Sequence, residues 1–523
     1  MKTRWGLRRL GKINMINKIK NNMLSKKNKF NELNFDGSNL NHIYYREFDG
    51  EYLLTNDFGG YIFLSPEEFK KVLENKLSEN SDLYKRLYRK MFIKKDLTEM
   101  SDEKEELRNQ KASIFSGPSL HIIVTTLRCN YNCIYCQARA QTMDDDGLDM
   151  TIDTAKKTVD RIFETNSDVI TIEFQGGEPL ANWDVIKFVV EYAREKEEKS
   201  DKEVKFSVVS NLSLLDEKKF NFLTKNVVGV CTSLDGPKKV HNKNRPYAKG
   251  DSYEETVNWI LKYQLEFAKR ERSDGTGLTK INALVTISKF SLDYHKEIID
   301  EYVKFGFHAV HLRPLSFLGY SGMDFQGREK MGYDMEEFLE FWKKSIDYLV
   351  ELNEDKDIHF FDRGVRIMLR KILVGKDPGY TDLSSPCGAA IGQVLYDYDG
   401  SIYTCDEGRM IGDDTFKIGD VRHDSYEDVL EKDNTKATIS ASILEGQSCS
   451  LCVYKPYCGV CPVKNYKLHG TLFPQMKNTD WCKLKKEQFN YIFEKLKEDG
   501  KHARVFNRWV DKYKSRIHTK NDN

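Results

Sequence analysis

The sequence predicts an α/β protein: an open, partial (β/α)6 barrel between a small N-terminal α+β module and a cysteine-rich C-terminal domain. Three observations carry that expectation. From residue 119 six short apolar runs alternate with helical patterns. Before them, residues 42–92 follow the shorter rhythm of hairpins. After them, seven of the 11 cysteines fall between residues 387 and 482.

The six runs are LHIIVTT (120–126), VITIEF (169–174), VKFSVVS (204–210), VVGVCTSL (227–234), INALVTI (281–287) and AVHLRPL (309–315). Apolar strands separated by helices, such as those read at about 151–165 and 182–197, imply a parallel sheet covered by helices. Six strands are too few for a closed eight-stranded barrel, and in barrels the chemistry sits at the carboxyl ends of the strands. In the module, IYYREF, EYLLTN and GYIFLS are strands, with turns at Asp49-Gly50 and Gly59-Gly60. Ser65-Pro66-Glu67-Glu68 opens a helix with a cap, a proline at the first position and an acid three residues after the cap. LYKRLYRKMF reads as a second helix, residues 335–375 as helical, VLYDYDGSIYTC as a hairpin turning at Asp399-Gly400, and 484–515 as charged amphipathic helix.

The expected divisions are a basic tail (1–41), the module (42–92), a linker (93–115), the barrel (116–335), a helical connector (336–380), the cysteine-rich domain (381–485) and a C-terminal helix and tail (486–523). Lys and Arg total 82 against 81 Asp and Glu, which argues against a general nucleic-acid binder. No apolar run reaches the length of a membrane span. Residues 1–30 hold ten Lys or Arg and no acid, without the apolar core of a secretory signal. A basic tail is expected there, or an upstream start with Met15 or Met23 as the true one. Clustered cysteines without a signal segment read as metal ligands in a reducing cytoplasm.

Cys129-x3-Cys133-x2-Cys136 follows the first strand, where the barrel rule puts a site. Three thiolates on one loop can hold three irons of a cubane, leaving the fourth open to a small molecule. Zinc is the alternative, and it prefers four closed ligands. The later cysteines read Cys387-x12-Gly400-x4-Cys405, Cys449-x2-Cys452-x5-Cys458-x2-Cys461, then Cys482. Zinc is the stronger alternative for these paired CxxC spacings. Cys231, in the fourth strand, reads as a structural core cysteine.

CNYNCIYC, with Tyr135 before the last cysteine, resembles the signature loop of radical S-adenosylmethionine (SAM) enzymes. The GGEP segment agrees: Gly176, Gly177 and Glu178 end the second strand, and the resemblance implies that Glu178 meets the amino group of the cofactor's methionine moiety. Ser210 and Asn211 end the third strand, where the family places ribose contacts. SLDGP, with Ser233 and Asp235, followed by His241 and Arg245, resembles a fourth-strand segment that helps hold the cofactor; turn and capping chemistry is the alternative there. The C-terminal cysteines resemble the SPASM domain of peptide-modifying relatives. That implies two auxiliary [4Fe-4S] clusters besides the radical SAM cluster. Cys387, Cys405 and Cys461 would serve the first, and Cys449, Cys452, Cys458 and Cys482 the second. The usual spacing has three residues before the sixth cysteine where this chain has two, and the first cluster lacks a fourth cysteine. Asp406 matches an acid that takes a substrate proton in sulfatase-maturating relatives.

The resemblance implies reductive cleavage of S-adenosylmethionine to a 5′-deoxyadenosyl radical that abstracts hydrogen. A one-electron donor such as flavodoxin or ferredoxin is implied as partner, with neither nucleic acid nor membrane. The N-terminal module resembles a peptide-recognition element that captures a leader peptide by β-augmentation; a packing role is the alternative. LLTNDFGGYIFLS, FQGGEPL, SLDGPKKVHNKNRP, HLRPLSFLGY and DEGRM together resemble the maturase family of the His-Xaa-Ser peptide system. A ribosomally made precursor peptide is then the expected substrate and a side-chain crosslink or related oxidation the expected product. The rival readings are an anaerobic sulfatase-maturating, formylglycine-forming enzyme and, from another class, a non-catalytic iron–sulfur carrier or scaffold.

Overall fold

A computed structural model of the chain describes residues 35–94, 114, 116–273, 280–319 and 331–521. The expected basic tail and linker lie largely outside the described residues. Two units form, residues 1–106 and 107–523. In the first, strands β1 (Ile43–Phe48), β2 (Glu51–Asn56) and β3 (Tyr61–Leu64) make an antiparallel sheet in sequence order. Phe48 pairs with Glu51 across Asp49 and Gly50, whose φ values are 53° and 77°. Both are in the left-handed region that a two-residue hairpin turn of this type requires. Helix α1 (Pro66–Leu73) begins as its sequence signals: the Glu68 N–H donates to Ser65 Oγ at 3.2 Å and the Ser65 N–H to Glu68 Oε2 at 3.0 Å. Helix α2 (Asp82–Arg89) follows, and Leu54, Ile62, Leu64, Phe69, Val72 and Leu87 form the core.

The second unit is organised around a nine-stranded sheet. Its strands β4 (Leu120–Thr126), β5 (Val169–Gly176), β6 (Glu203–Val209), β7 (Val228–Ser233) and β8 (Asn282–Ile287) are the first five runs read from the sequence. Helices α3 (Ile152–Ile162), α4 (Trp183–Glu197), α5 (Glu217–Lys225), α6 (Lys238–Asn244), α7 (Ser252–Ser273) and α8 (His295–Lys304) fall between or after them. On β5, Ile170, Ile172 and Phe174 are buried while the alternate residues are less so, the period-two pattern of a strand with two different faces. The sixth run divides into β9 (Ala309–Val310) and β10 (Leu312–Pro314). Strand β10 pairs with β8, and every pairing from β4 through β8 to β10 is parallel. The carboxyl ends of these strands therefore share one rim.

Two regions are as expected and carry further detail. Residues 335–375 are largely helical, with one interruption. Helix α9 (Met335–Asp355) is followed by strand β11 (Phe361–Asp362), which pairs with β9, and by helix α10 (Arg363–Leu369). The Asp362 carboxylate accepts from the Leu312 N–H at 2.9 Å and the Val365 N–H at 2.7 Å, so it ties the divided strand and caps α10 at once. The hairpin expected in the cysteine-rich region, β12 (Gln393–Tyr396) and β13 (Ser401–Tyr403), is present, yet it does not stand apart from the barrel. Strand β12 runs parallel to β4, with Gln393 opposite Leu120, and extends the barrel sheet. Helix α11 (Asp406–Met410), strand β14 (Lys417–Asp420), helices α12 (Tyr426–Glu431), α13 (Asp433–Ala441) and α14 (Pro462–His469) complete this region. The C-terminal stretch forms α15 (Asp480–Lys497) and α16 (Lys501–Asn521), broken at Asp499-Gly500, where Asp499 has a φ of 49°.

Candidate active site and cysteine clusters

The loop after β4 carries the first cysteine trio at the shared rim. Its base is closed by the Cys129 N–H on Gln141 O (2.9 Å) and the Gln141 N–H on Leu127 O (2.7 Å). Arg128 pairs with Asp149 beneath it. Its far side is held by the segment after β7: the Asn132 N–H donates to Pro246 O and the Ile134 N–H to Asn244 O, both at 3.0 Å. Cys129, Cys133 and Cys136 are free and partly buried. Donors face the sulfurs. The Tyr131 N–H lies 3.4 Å and Asn211 Nδ2 3.9 Å from Cys129 Sγ, and Arg245 Nη1 lies 3.9 Å from Cys133 Sγ. Burial pushes the Cys133 thiol up to about 11, against the pull of Arg245, and raises Cys129 further, with Glu178 adding to the rise. The donors aimed at these sulfurs suit sulfur that carries negative charge, as a metal-bound thiolate does once its proton has been released. Among the described residues no three His, Cys, Asp or Glu side chains converge as ligands of one metal ion would. Cubane thiolates each bind a different iron.

Strand β5 ends against this loop. The Gly177 N–H donates to Thr126 O at 2.9 Å and the Glu178 N–H to Arg128 O at 2.7 Å. A Cβ on Gly176 would lie 2.2 Å from Thr126 O, and one on Gly177 2.4 Å from Arg128 O. Both glycines are thus demanded by close backbone approach. Glu178 is buried, and its carboxylate accepts from Ser210 Oγ at 2.7 Å, the Asn211 N–H at 2.8 Å and the Leu180 N–H at 3.1 Å. The GGEP and Ser210-Asn211 segments are therefore one hydrogen-bonded unit. Burial pushes the Glu178 carboxyl up to about 7 in spite of these donors. Three donors leave part of a carboxylate's acceptor capacity for a cation.

Asp235 is the hub that the motif reading undervalued. It is fully buried and accepts from Tyr135 Oη, Asn244 Nδ2 (3.2 Å), Arg245 Nε (3.1 Å) and the Thr286 N–H (3.1 Å). It thus links the cysteine loop, the segment after β7 and strand β8. The acid and arginine ten residues apart in SLDGPKKVHNKNR were the signal. Arg245, expected at the cofactor, spans the Asp235 carboxylate and Cys133, with its guanidinium 5.2 Å from the Tyr135 ring centre. Ser233 sits opposite Leu284 at the end of β7, two residues before Asp235.

The later cysteines form two groups. Cys387, Cys405 and Cys461 lie in one buried cluster with Leu318, Phe416 and Val463. The short spacing before Cys461 does not draw it away. Cys449, Cys452, Cys458 and Cys482 line a cavity of about 30 Å3 walled by Leu444, Met476 and Phe489. Cys231 joins neither group; burial pushes its thiol up to about 12. Asp406 opens α11 beside Cys405, and burial raises its carboxyl, opposed first by Arg313 on β10 and reinforced by Glu173 on β5. Helix α11 is bound to the first cysteine loop: Arg409 Nη2 donates to Ala138 O at 2.7 Å, and Arg139 Nη1 to Ile411 O at 3.1 Å. A cavity of about 320 Å3, unforeseen from the sequence, lies among β10, α9, α14 and α15, with Arg313, Asp382, Lys464 and Lys485 in its wall.

Residues 123–268 match the sequence model of the radical SAM superfamily. A cysteine-type anaerobic sulfatase-maturating enzyme of Clostridium perfringens is 25% identical over 397 residues, covering 72% of this chain and 97% of the relative. The structure of native anSMEcpe with bound AdoMet and Kp18Cys peptide aligns with a TM-score of 0.59 at 21% identity, over 75% of this chain and 100% of that one. Streptococcus suis SuiB bound to its precursor peptide SuiA aligns with a TM-score of 0.51 at 15% identity, over 84% and 98% of the two chains.

Proposed function

We propose a function from one premise: the chain is a radical SAM enzyme of the SPASM type, acting with S-adenosylmethionine and a [4Fe-4S] cluster. The proposed substrate is a ribosomally made peptide, and the proposed product a side-chain crosslink or related oxidation. The carrying observation is the rim itself, where the cysteine loop, Glu178 and the Asp235–Arg245 pair meet, bound to the helix that carries Cys405 and Asp406. The bound cofactor pair supplies a carbon radical able to take a hydrogen atom from an unactivated C–H bond.

The protein's residues have these proposed roles. Cys129, Cys133 and Cys136 hold the first cluster, with Arg245 and Asn211 directed at their sulfurs. Glu178 accepts the cofactor's ammonium group, oriented by Ser210 and Asn211. Gly176 and Gly177 let β5 close against β4, and Ser233 borders the cofactor. Asp406 takes the substrate proton, its carboxyl held ready by burial. Cys387, Cys405 and Cys461 would hold one auxiliary cluster and Cys449, Cys452, Cys458 and Cys482 another, which would supply acceptors for an electron released in a substrate oxidation. A flavodoxin or ferredoxin supplies the starting electron. The first unit, with its three-stranded antiparallel sheet, suits capture of a leader peptide as an added strand. Among the described residues no helix is long and apolar enough to cross a membrane, and a cytoplasmic setting is proposed from the many free thiols.

The sulfatase-maturating reading keeps equal standing, favoured by the match along 97% of that relative's length. Anaerobic reconstitution with S-adenosylmethionine and dithionite tests the premise: 5′-deoxyadenosine is expected, and its absence at full iron and sulfide loading leaves a carrier or scaffold. Co-expression with a neighbouring precursor peptide separates the substrates. A loss of about two hydrogens in an aldehyde-unreactive product supports the crosslink; an aldehyde that reacts with hydroxylamine, on a sulfatase peptide, supports formylglycine.

A further inference from the structure

Eight consecutive residues, His311–Leu318, wall the cavity of about 320 Å3 beside β10. They are most of the HLRPLSFLGY run, to which the proposed function gives no role. The cavity is at the lower end of ligand pockets, about 300–1,000 Å3, so it admits a side chain or two and no folded segment. Trp481, Leu484 and Leu468 supply further apolar wall. Leu315 and Phe317 belong at the same time to an apolar cluster with Tyr135 of the first cysteine loop. The cavity therefore adjoins the rim where the cysteine loop stands.

Two cations of this wall have no counter-ion within ion-pair distance. Among the described residues the Arg313 guanidinium has neither a carboxylate that close nor a hydrogen-bond acceptor. The side chains that act on it most strongly are Tyr380 and Asp382, also in the wall, then Glu407 and Asp406, each acid beyond ion-pair distance. Lys485 Nζ meets Gln488 Oε1 at 3.1 Å and the Trp481 ring at 4.7 Å, again with no carboxylate. The acids of the wall are engaged elsewhere. Asp382 lies 3.5 Å from Lys464 Nζ, which also holds Glu407 at 2.9 Å. Asp362 accepts from the Leu312 and Val365 N–H groups, and Asp480 is exposed at the start of α15. A guanidinium carries a planar fork of N–H donors that matches a carboxylate, and donors taken out of water need acceptors.

We propose that this cavity anchors a carboxylate on an apolar stem, held by Arg313 and Lys485, as part of the peptide substrate. This rests on the peptide reading of the function and names the chemistry the peptide must carry: an acidic side chain or its own C-terminal carboxylate. The apolar wall takes the stem. A single negative charge fits, whereas Asp382 would repel a dianion such as phosphate. An uncharged occupant would leave the Arg313 donors unmet.

The test uses the full, anaerobically reconstituted chain and two probes of one shape, 4-phenylbutyrate and the neutral 4-phenylbutyramide, in isothermal titration calorimetry. The acid is expected to bind and the amide to bind about tenfold more weakly, for want of the charge-assisted pair. Arg313→Gln should bring the acid down to the amide's affinity and leave the amide's as it was, which a misfolded variant would not do. Leu468→Trp, at a half-exposed position of the wall, should weaken both probes. Equal affinity of the two probes for wild type, or an acid affinity unmoved in Arg313→Gln, would overturn the site. The acid should also compete with the precursor peptide. Replacing the peptide's acidic residues by their amides, or amidating its C-terminus, should raise KM about tenfold, and whichever does so identifies the source of the carboxylate. A probe that binds as expected without competing would overturn the peptide assignment and leave a site for a free carboxylate. If the chain cleaves S-adenosylmethionine yet modifies no peptide, the substrate reading fails, while the calorimetry still decides the carboxylate site.

Discussion

Two of the three cysteine groups in the second unit differ in their surroundings. Cys129, Cys133 and Cys136 sit on a loop at the strand rim, partly exposed, with an arginine, an amide and a backbone N–H turned toward their sulfurs. Cys387, Cys405 and Cys461 are 7%, 3% and 4% exposed and packed with apolar side chains, with an acid rather than an arginine at the sulfur of Cys461. Donors at a sulfur favour the thiolate, and Cys405 Sγ has one too, the Gly408 N–H at 3.3 Å; what sets the second group apart is its apolar wall. The same element, three cysteines, thus sits at a partly exposed rim in one place and in an apolar interior in the other.

The sharpest way to break this comparison is Cys133→Ala. The proposed assignment expects 5′-deoxyadenosine formation to fall to background, whereas Cys231→Ala leaves it intact; the reverse pattern would exchange the two cysteines' roles. Next in size is Asp235→Ala, which strands the Arg245 guanidinium without its buried partner. Losing one member of a buried pair costs about 3–5 kcal/mol, so denaturant titration should detect a large destabilisation along with loss of cofactor cleavage. Gly177→Ala puts a methyl group 2.4 Å from Arg128 O and should destabilise by about 1–3 kcal/mol, in the range of overpacked sites.

Glu178 provides a pH test. Its carboxyl is raised to about 7 by burial in the cofactor-free protein. The raised value means that the folded state holds this proton more tightly than the unfolded chain does. Its contribution to stability is present below the unfolded value near 4.5 and is lost as pH rises through about 7. The proposed contact of Glu178 with the cofactor's ammonium needs the ionised form. Affinity for S-adenosylmethionine, measured by equilibrium dialysis, should therefore rise between pH 6 and 8 and be weak and flat in Glu178→Gln. The smallest effect lies in the first unit: Ser65→Ala removes a capping box and should cost about 1 kcal/mol while leaving cofactor cleavage unchanged.

Much of the site was legible because its chemistry is local. The spacing of Cys129, Cys133 and Cys136 and the run of Gly176, Gly177 and Glu178 are short-range patterns, each next to a strand that alternation identifies. The Ser65 cap and the Asp49-Gly50 turn are likewise complete within four or five residues. Asp235 was harder to weigh, because SLDGP reads equally well as a turn; its value comes from Tyr135, Asn244, Arg245 and Thr286, which lie on three different segments. Glu407 was hidden for the same reason. Nothing in DEGRM says which acid turns toward a thiol 54 residues later in the chain.

By itself the sequence determined where the strands, caps and thiols lie along the chain, since each depends on side chains a few residues apart. Tertiary structure alone decided that β12 joins β4, 273 residues apart at Gln393 and Leu120, that the sixth run divides at His311 to serve two partners, and which buried charges meet. The physical reason is that strand pairing runs through backbone N–H and C=O groups, which are alike in every residue. A buried charge, for its part, takes whatever partner the packed fold brings within a few ångströms.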